Sequence, residues 1–256
     1  MNSLSIAQHL LGAGSGVLIG FVLALVGGGG SILAVPLLLY VVRVPDPHVA
    51  IGTSALAVAA NAATNLVIHA RRGNVSWGPA GIFAGAGVLG AYIGSSAGKS
   101  FDGDRLLSLF AFLMIAVAGL MLWKRNAQEA PQASLNHAVA ARLSISGATT
   151  GLVSGFFGIG GGFLVVPGLL ASTGMPILTA VGSSLVAVTA FGLTTALNYA
   201  HAGLVNWTLA IAFLLGGLTG GQLGASLAER LSKSRGALNK VFAGVILATA
   251  LYMLAS

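Results

Sequence analysis

Of 256 residues only 12 are Lys or Arg and 5 are Asp or Glu, while 56% are hydrophobic. A soluble domain carries about 25% charged residues, so composition excludes one and makes the lipid bilayer the solvent of this chain. The net charge of +7 does not point to nucleic acid, because the basic residues are scattered through short connections instead of gathering on one face.

In chain order, residues 1–42 contain no charged side chain and read as an apolar hairpin over about 6–42, broken at Gly27 to Gly30. The first basic residue is Arg43. A cleavable signal peptide needs a basic region ahead of its apolar core, so this segment is expected to stay as part of the membrane domain. Apolar spans follow near 49–69, 78–97 and 106–123, each close to the roughly 20 residues that cross a bilayer. The stretch from Lys124 to His137 is polar, and residues 124–140 are assigned to a linker. Beyond it, an uncharged run from Leu143 to Ala228 holds a second hairpin over about 143–174 and spans near 178–200 and 207–227. A last span covers about 241–256. The chain divides into a first membrane repeat (1–123), a cytoplasmic linker (124–140) and a second repeat (141–256).

The two repeats share motifs in one register. Gly27 to Pro36 (GGGGSILAVP) recurs 131 residues later as Gly158 to Pro167 (GIGGGFLVVP). After a one-residue slip, Gly52-Thr53-Ser54 matches Gly182-Ser183-Ser184, and Gly73 to Trp77 (GNVSW) matches Gly203 to Trp207 (GLVNW). Coincidence of a glycine run, a Pro and a Trp at nearly one spacing indicates duplication. If each hairpin enters and leaves on one side, each repeat crosses three times, and inverted copies with an external N-terminus place Arg71, Arg72, Lys124, Arg125, Arg142, Arg230, Lys233, Arg235 and Lys240 inside. Only Arg43, Lys99 and Arg105 then lie outside, as the positive-inside rule requires. The fold expected is an all-α integral membrane protein of two inverted repeats, each a broken-helix hairpin plus three transmembrane helices.

Two features can carry chemistry. Unwound backbone at membrane depth leaves amides that lipid cannot satisfy, and in inverted-repeat carriers broken helices turn positive half-helix ends toward anionic cargo. This marks Gly28, Gly29, Gly30 and Ser31 in the first half, and Gly160, Gly161 and Gly162 in the second; tight helix packing is the competing use of such glycines. The second feature is a polar stripe after each hairpin. Ser54, Asn61 and Asn65 share one helical face, and the partner helix offers Ser183, Ser184, Thr194, Thr195 and Asn198. No charged residue lies within a predicted span, so an anion would be held by dipoles and neutral donors. Of the histidines, His69 closes a span and reads as loop-facing. Trp77 and Trp207 begin spans, where interfacial belts place indoles. No Cys is present and no His or acid cluster appears, so neither an enzyme's nucleophile nor a metal or cofactor site is expected.

At these motifs the chain resembles the TauE/SafE family of sulfite exporter-like permeases, over nearly its whole length. The resemblance implies transport of sulfur-containing anions such as sulfite, sulfoacetate or related organosulfonates across a bacterial inner membrane. An anion channel, and an ion-coupled uptake permease for another organic acid, are the alternatives. The partners expected are a small anionic substrate and the bilayer.

Overall fold

The computed structural model describes residues 5–123, 135–231 and 235–255, side chains at 25–29, 120–123, 225–243 and 245 excepted. Its described residues form helices: α1 (Ile6–Val26), a 3-10 segment (Gly27–Leu33), the single turn α2 (Ala34–Pro36), a π turn (Leu37–Val41), then α3 (Pro47–Arg71), α4 (Trp77–Ser100) and α5 (Gly103–Trp123). The second half follows as α6 (His137–Phe157), α7 (Gly162–Thr173), α8 (Ile177–His201), α9 (Trp207–Leu231) and α10 (Arg235–Ala255). Helix starts recur 130 to 132 residues apart: Ile6 with His137, Pro47 with Ile177, Trp77 with Trp207, Gly103 with Arg235. Helix α6 begins six residues before the expected hairpin, because the Asn136 side chain accepts the Val139 N–H at 2.9 Å and caps it there.

Among the described residues, five helices are long and apolar enough to cross a membrane: Ile6–Ala24, Pro47–Arg71, Trp77–Ser100, Ile177–His201 and Trp207–Gly224. The apolar helices Gly30–Val41 and Gly162–Thr173 are shorter. At 1.5 Å per residue each is little more than half as long as the hydrocarbon core is thick. The first hairpin closes on its own entrance, since Gln8 Nε2 donates to the Val42 carbonyl at 3.1 Å.

Helices α3 and α8 form the centre and run antiparallel. Gly52 meets Tyr199, Gly192 meets Ala59, and Gly182 lies against His69. On one flank α1 runs parallel to α9: a Cβ at Gly16 would overlap the Phe213 carbonyl, and one at Gly20 the Gly217 backbone. On the other, α4 runs parallel to α6, with Gly147 on Phe83, Gly151 on Gly87 and Gly155 on Ala91. Each half therefore lends its first helix to the third long helix of the other half. These contacts are backbone on backbone, the close approach that stripes of small residues permit where no hydrophobic effect drives helices together. Helices α5 and α10 pack on each other at the side of the bundle.

Candidate substrate site

The second hairpin turns through three glycines with left-handed backbone: Gly158 (φ 69°), Gly160 (φ 66°) and Gly161 (φ 66°). An L-side chain at any of them would be strained. Gly160 is wedged at the crossing of α3 and α8, where a Cβ would lie 3.2 Å from both Val58 and Val188, residues equivalent in the two halves. Gly161 caps α7 and lies on Ser154 of α6, whose Oγ would be 2.9 Å from a Cβ there. Gly162 opens α7 and is buried. In the first half Gly28 and Gly29 belong to the 3-10 segment, with Gly30 folded back onto Val22 and Leu23 and Ser31 buried beside it. The 3-10 segment of the first hairpin packs on α7 of the second.

The polar stripe divides into two groups. Ser54, Ser184 and Thr194 donate to carbonyls of their own helices, at 2.9, 2.7 and 2.8 Å to Ile51, Val181 and Ala190. Ser183 reaches across the halves and accepts the Ser76 N–H at 2.8 Å. Its repeat mate Thr53 accepts the Asn206 N–H at 2.9 Å. Beside each hydroxyl a glycine lets the opposing loop seat: a Cβ at Gly52 would overlap the Leu204 carbonyl, and one at Gly182 the Asn74 carbonyl. The Gly-Thr/Ser pair thus docks the Gly-x-Val-x-Trp loop of the other half. Gly73 and Gly203 supply the positive φ (71° and 73°) on which those loops turn.

Asn61 and Asn65 are the other group. Both are buried, at 0% and 1% exposure, and they face the α9 backbone: a Cβ at Gly217 would overlap the Asn61 amide, and one at Gly221 would lie 2.9 Å from Asn65 Oδ1. Asn65 Nδ2 donates to the Asn61 carbonyl at 3.0 Å. Its Oδ1, and both polar atoms of the Asn61 amide, have no hydrogen-bond partner among the described residues. A buried polar group left unpaired costs about 1–3 kcal/mol, which sets these three atoms apart from the self-satisfied hydroxyls of the stripe. Adjoining them is a half-open cavity of about 250 Å³ between α3 and α9, lined by Thr64, Asn65, Val67, Gly217, Gly221 and Gln222 among others. The second half does not repeat this. Gly87, equivalent to Gly217, abuts the ring of Phe191, which stands where Asn61 does and stacks on Phe83 at 6.3 Å.

His69 corrects its sequence reading: it is 2% exposed, because the start of α8 from the other half, at Gly182, packs against the end of α3. Trp77 and Trp207 are exposed at helix starts, at 59% and 57%. Sequence reasoning passed over the buried Ser154 Oγ and Tyr199 hydroxyl, which have no hydrogen-bond partner among the described residues. Neither has a like residue at its repeat position, so no pattern announced them.

Apolar helices around an uncharged polar interior, with two hairpins meeting inside, define a multi-pass membrane protein. The family described as "Sulfite exporter TauE/SafE" matches residues 12–253, and the chain belongs to that family of membrane transporters. It is 53% identical over 255 residues to a "Probable membrane transporter protein" of Xylella fastidiosa (strain Temecula1), covering 98% of this chain and 97% of that one. It is 27% identical to the "Probable membrane transporter protein YunE" of Bacillus subtilis (strain 168), over 84% of this chain and 87% of the other. No solved structure matches it.

Proposed function

We propose that this transporter carries a small oxyanion, sulfite or a short organosulfonate, through the crevice between α3 and α9, in a bacterial inner membrane. One observation carries the reading: the fully buried Asn61 amide, with neither polar atom paired, set against glycine backbone beside a cavity. The cavity itself is lined by Asn65, Gly217 and Gly221, the last two packed on the Asn61 and Asn65 amides. The hairpin glycines Gly28 to Gly30 and Gly160 to Gly162, with Ser31, bring helix ends to the same central layer. Ser54, Ser183, Ser184 and Thr194 stand behind the amides as helix and loop supports. An inverted arrangement is supported by the antiparallel packing of the equivalent helices α3 and α8, because a two-fold axis along the membrane normal would leave equivalents parallel.

Neutral donors suit a weakly held anion that must leave again. Moving one negative charge out of a cytoplasm negative by about 100 mV gains about 2.3 kcal/mol, which favours export. Proteoliposomes loaded with sulfite, sulfoacetate, sulfate or acetate test the assignment by counterflow. Saturable exchange of sulfite or sulfoacetate is expected, with Asn61→Ala weakening apparent affinity by about 1–3 kcal/mol. Equal rates for all four anions without counterflow would instead indicate a channel, and preference for acetate would remove the sulfur assignment.

A further inference from the structure

A second polar cluster lies away from the Asn61 crevice, where the last turns of α4 and α8 meet the first turn of α3. Lys99 Nζ donates to the Asn198 carbonyl at 2.9 Å and to its Oδ1 at 2.7 Å. The Asn198 amide donates in turn to Ser95 Oγ at 2.6 Å and Ser96 Oγ at 3.0 Å, which fixes the ammonium in place. An ammonium has three donors, and these bonds occupy two. Its nitrogen stands 5.9 Å from the centre of the Tyr199 ring. Tyr199 is wholly buried, and its hydroxyl has no partner among the described residues. The His48 ring lies 6.4 Å from that of Tyr199, and its Nδ1 is also buried and unpartnered.

We infer that Lys99, Tyr199 and His48 form a second anion-binding station at this end of the bundle, taking a small oxyanion such as sulfite or sulfate. Lys99 and His48 both lie against the Tyr199 ring, so a cation, an imidazole and a phenol share one small region. The acid closest in sequence, Asp46, is engaged as the cap of α3, accepting the His48 and Val49 N–H groups at 2.8 and 3.5 Å. Asp102 likewise accepts the Arg105 N–H at 3.1 Å. The cluster belongs to one end only: at the repeat positions of His48, Lys99, Asn198 and Tyr199 the sequence has Leu178, Glu229, Ile68 and His69. Selection for packing alone gives no reason to gather cation, phenol and imidazole at one end and reverse the charge at the other. Under the proposed topology this end is external, where an anion leaving the central amides would next be met by positive charge. That role rests on the proposed function; the binding itself does not.

The test separates the two sites in purified protein by following anion-dependent thermal stabilisation with sodium sulfite and sodium sulfate against sodium chloride at equal ionic strength. In an Asn61→Ala background a sulfite- or sulfate-dependent rise should persist. Adding Tyr199→Phe or Lys99→Gln should raise the anion concentration needed for it by about ten-fold, the worth of one hydrogen bond to a charged ligand. Tyr199→Phe alone, without anion, should melt no lower than wild type, since it deletes only an unpartnered hydroxyl. An unchanged anion requirement in both double variants overturns the station. So does a fall in melting temperature of Tyr199→Phe with its anion response intact, which would give the hydroxyl a structural partner. Failure of counterflow with this binding intact would count against the transport assignment alone.

Discussion

At the residue scale, the same hydroxyl type serves different ends according to what lies opposite it. Ser183 and Ser184 are neighbours, yet one holds the Ser76 amide of the other half at 2.8 Å and the other returns to its own helix at 2.7 Å. Ser183→Ala and Thr53→Ala each strand a loop amide and should cost about 1–3 kcal/mol. Ser184→Ala and Ser54→Ala remove bonds that slightly strain their own helices and should cost under about 1 kcal/mol. Denaturation monitored by tryptophan fluorescence checks the ranking, as Trp77 and Trp207 adjoin the two latched loops. Equal costs for all four variants would deny the docking role of the Gly-Thr/Ser pair.

At the element scale, glycine content resolves into distinct uses by what each position faces. Gly16, Gly20, Gly151 and Gly155 lie on the backbone of a parallel partner helix, whereas Gly14, Gly81 and Gly85 face open space. Gly20→Ala and Gly151→Ala must push helices apart, and overpacking of this kind costs about 1–3 kcal/mol or more. Gly14→Ala and Gly85→Ala should be neutral or stabilising, because alanine is the better helix former by about 1 kcal/mol. Melting temperatures of the four variants in one detergent distinguish the sets. Gly160→Val belongs to neither, since it adds a β-branched side chain where φ is 66° and where even a Cβ would lie 3.2 Å from both Val58 and Val188. It should abolish transport at expression levels where Gly85→Ala retains it.

At the scale of the whole molecule, the halves are interlocked rather than side by side. Helix α1 rests on α9, α6 rests on α4, and the loops after α3 and α8 are held by the opposite half. The long helices find their main packing partners in the opposite half, so a fragment of residues 1–123 should not form a stable unit in detergent. The proposed topology rests on the charge asymmetry. Single cysteines replacing Ala202 and Ala255 should react with a membrane-impermeant maleimide in intact cells. A cysteine replacing His137 should react only after permeabilisation. Labelling of all three from one side would sink the inverted arrangement.

The sequence by itself determined the class, the duplication and the hairpin breaks. Charge depletion leaves a chain no solvent but lipid, and the recurrence of Gly-rich, Gly-Thr/Ser-Ser and Gly-x-Val-x-Trp motifs is visible without coordinates. It also singled out Asn61 and Asn65, because a primary amide within an apolar helix needs partners that its own backbone cannot fully supply. What it could not show was pairing between distant segments. That Thr53 and Ser183 serve as latches, that His69 is covered, and that Phe191 fills in one half the place Asn61 occupies in the other, all follow from contacts more than 100 residues apart. Periodicity along one helix reports which side chains share a face; only the packing of the second helix decides whether that face meets backbone, an aromatic ring or empty space.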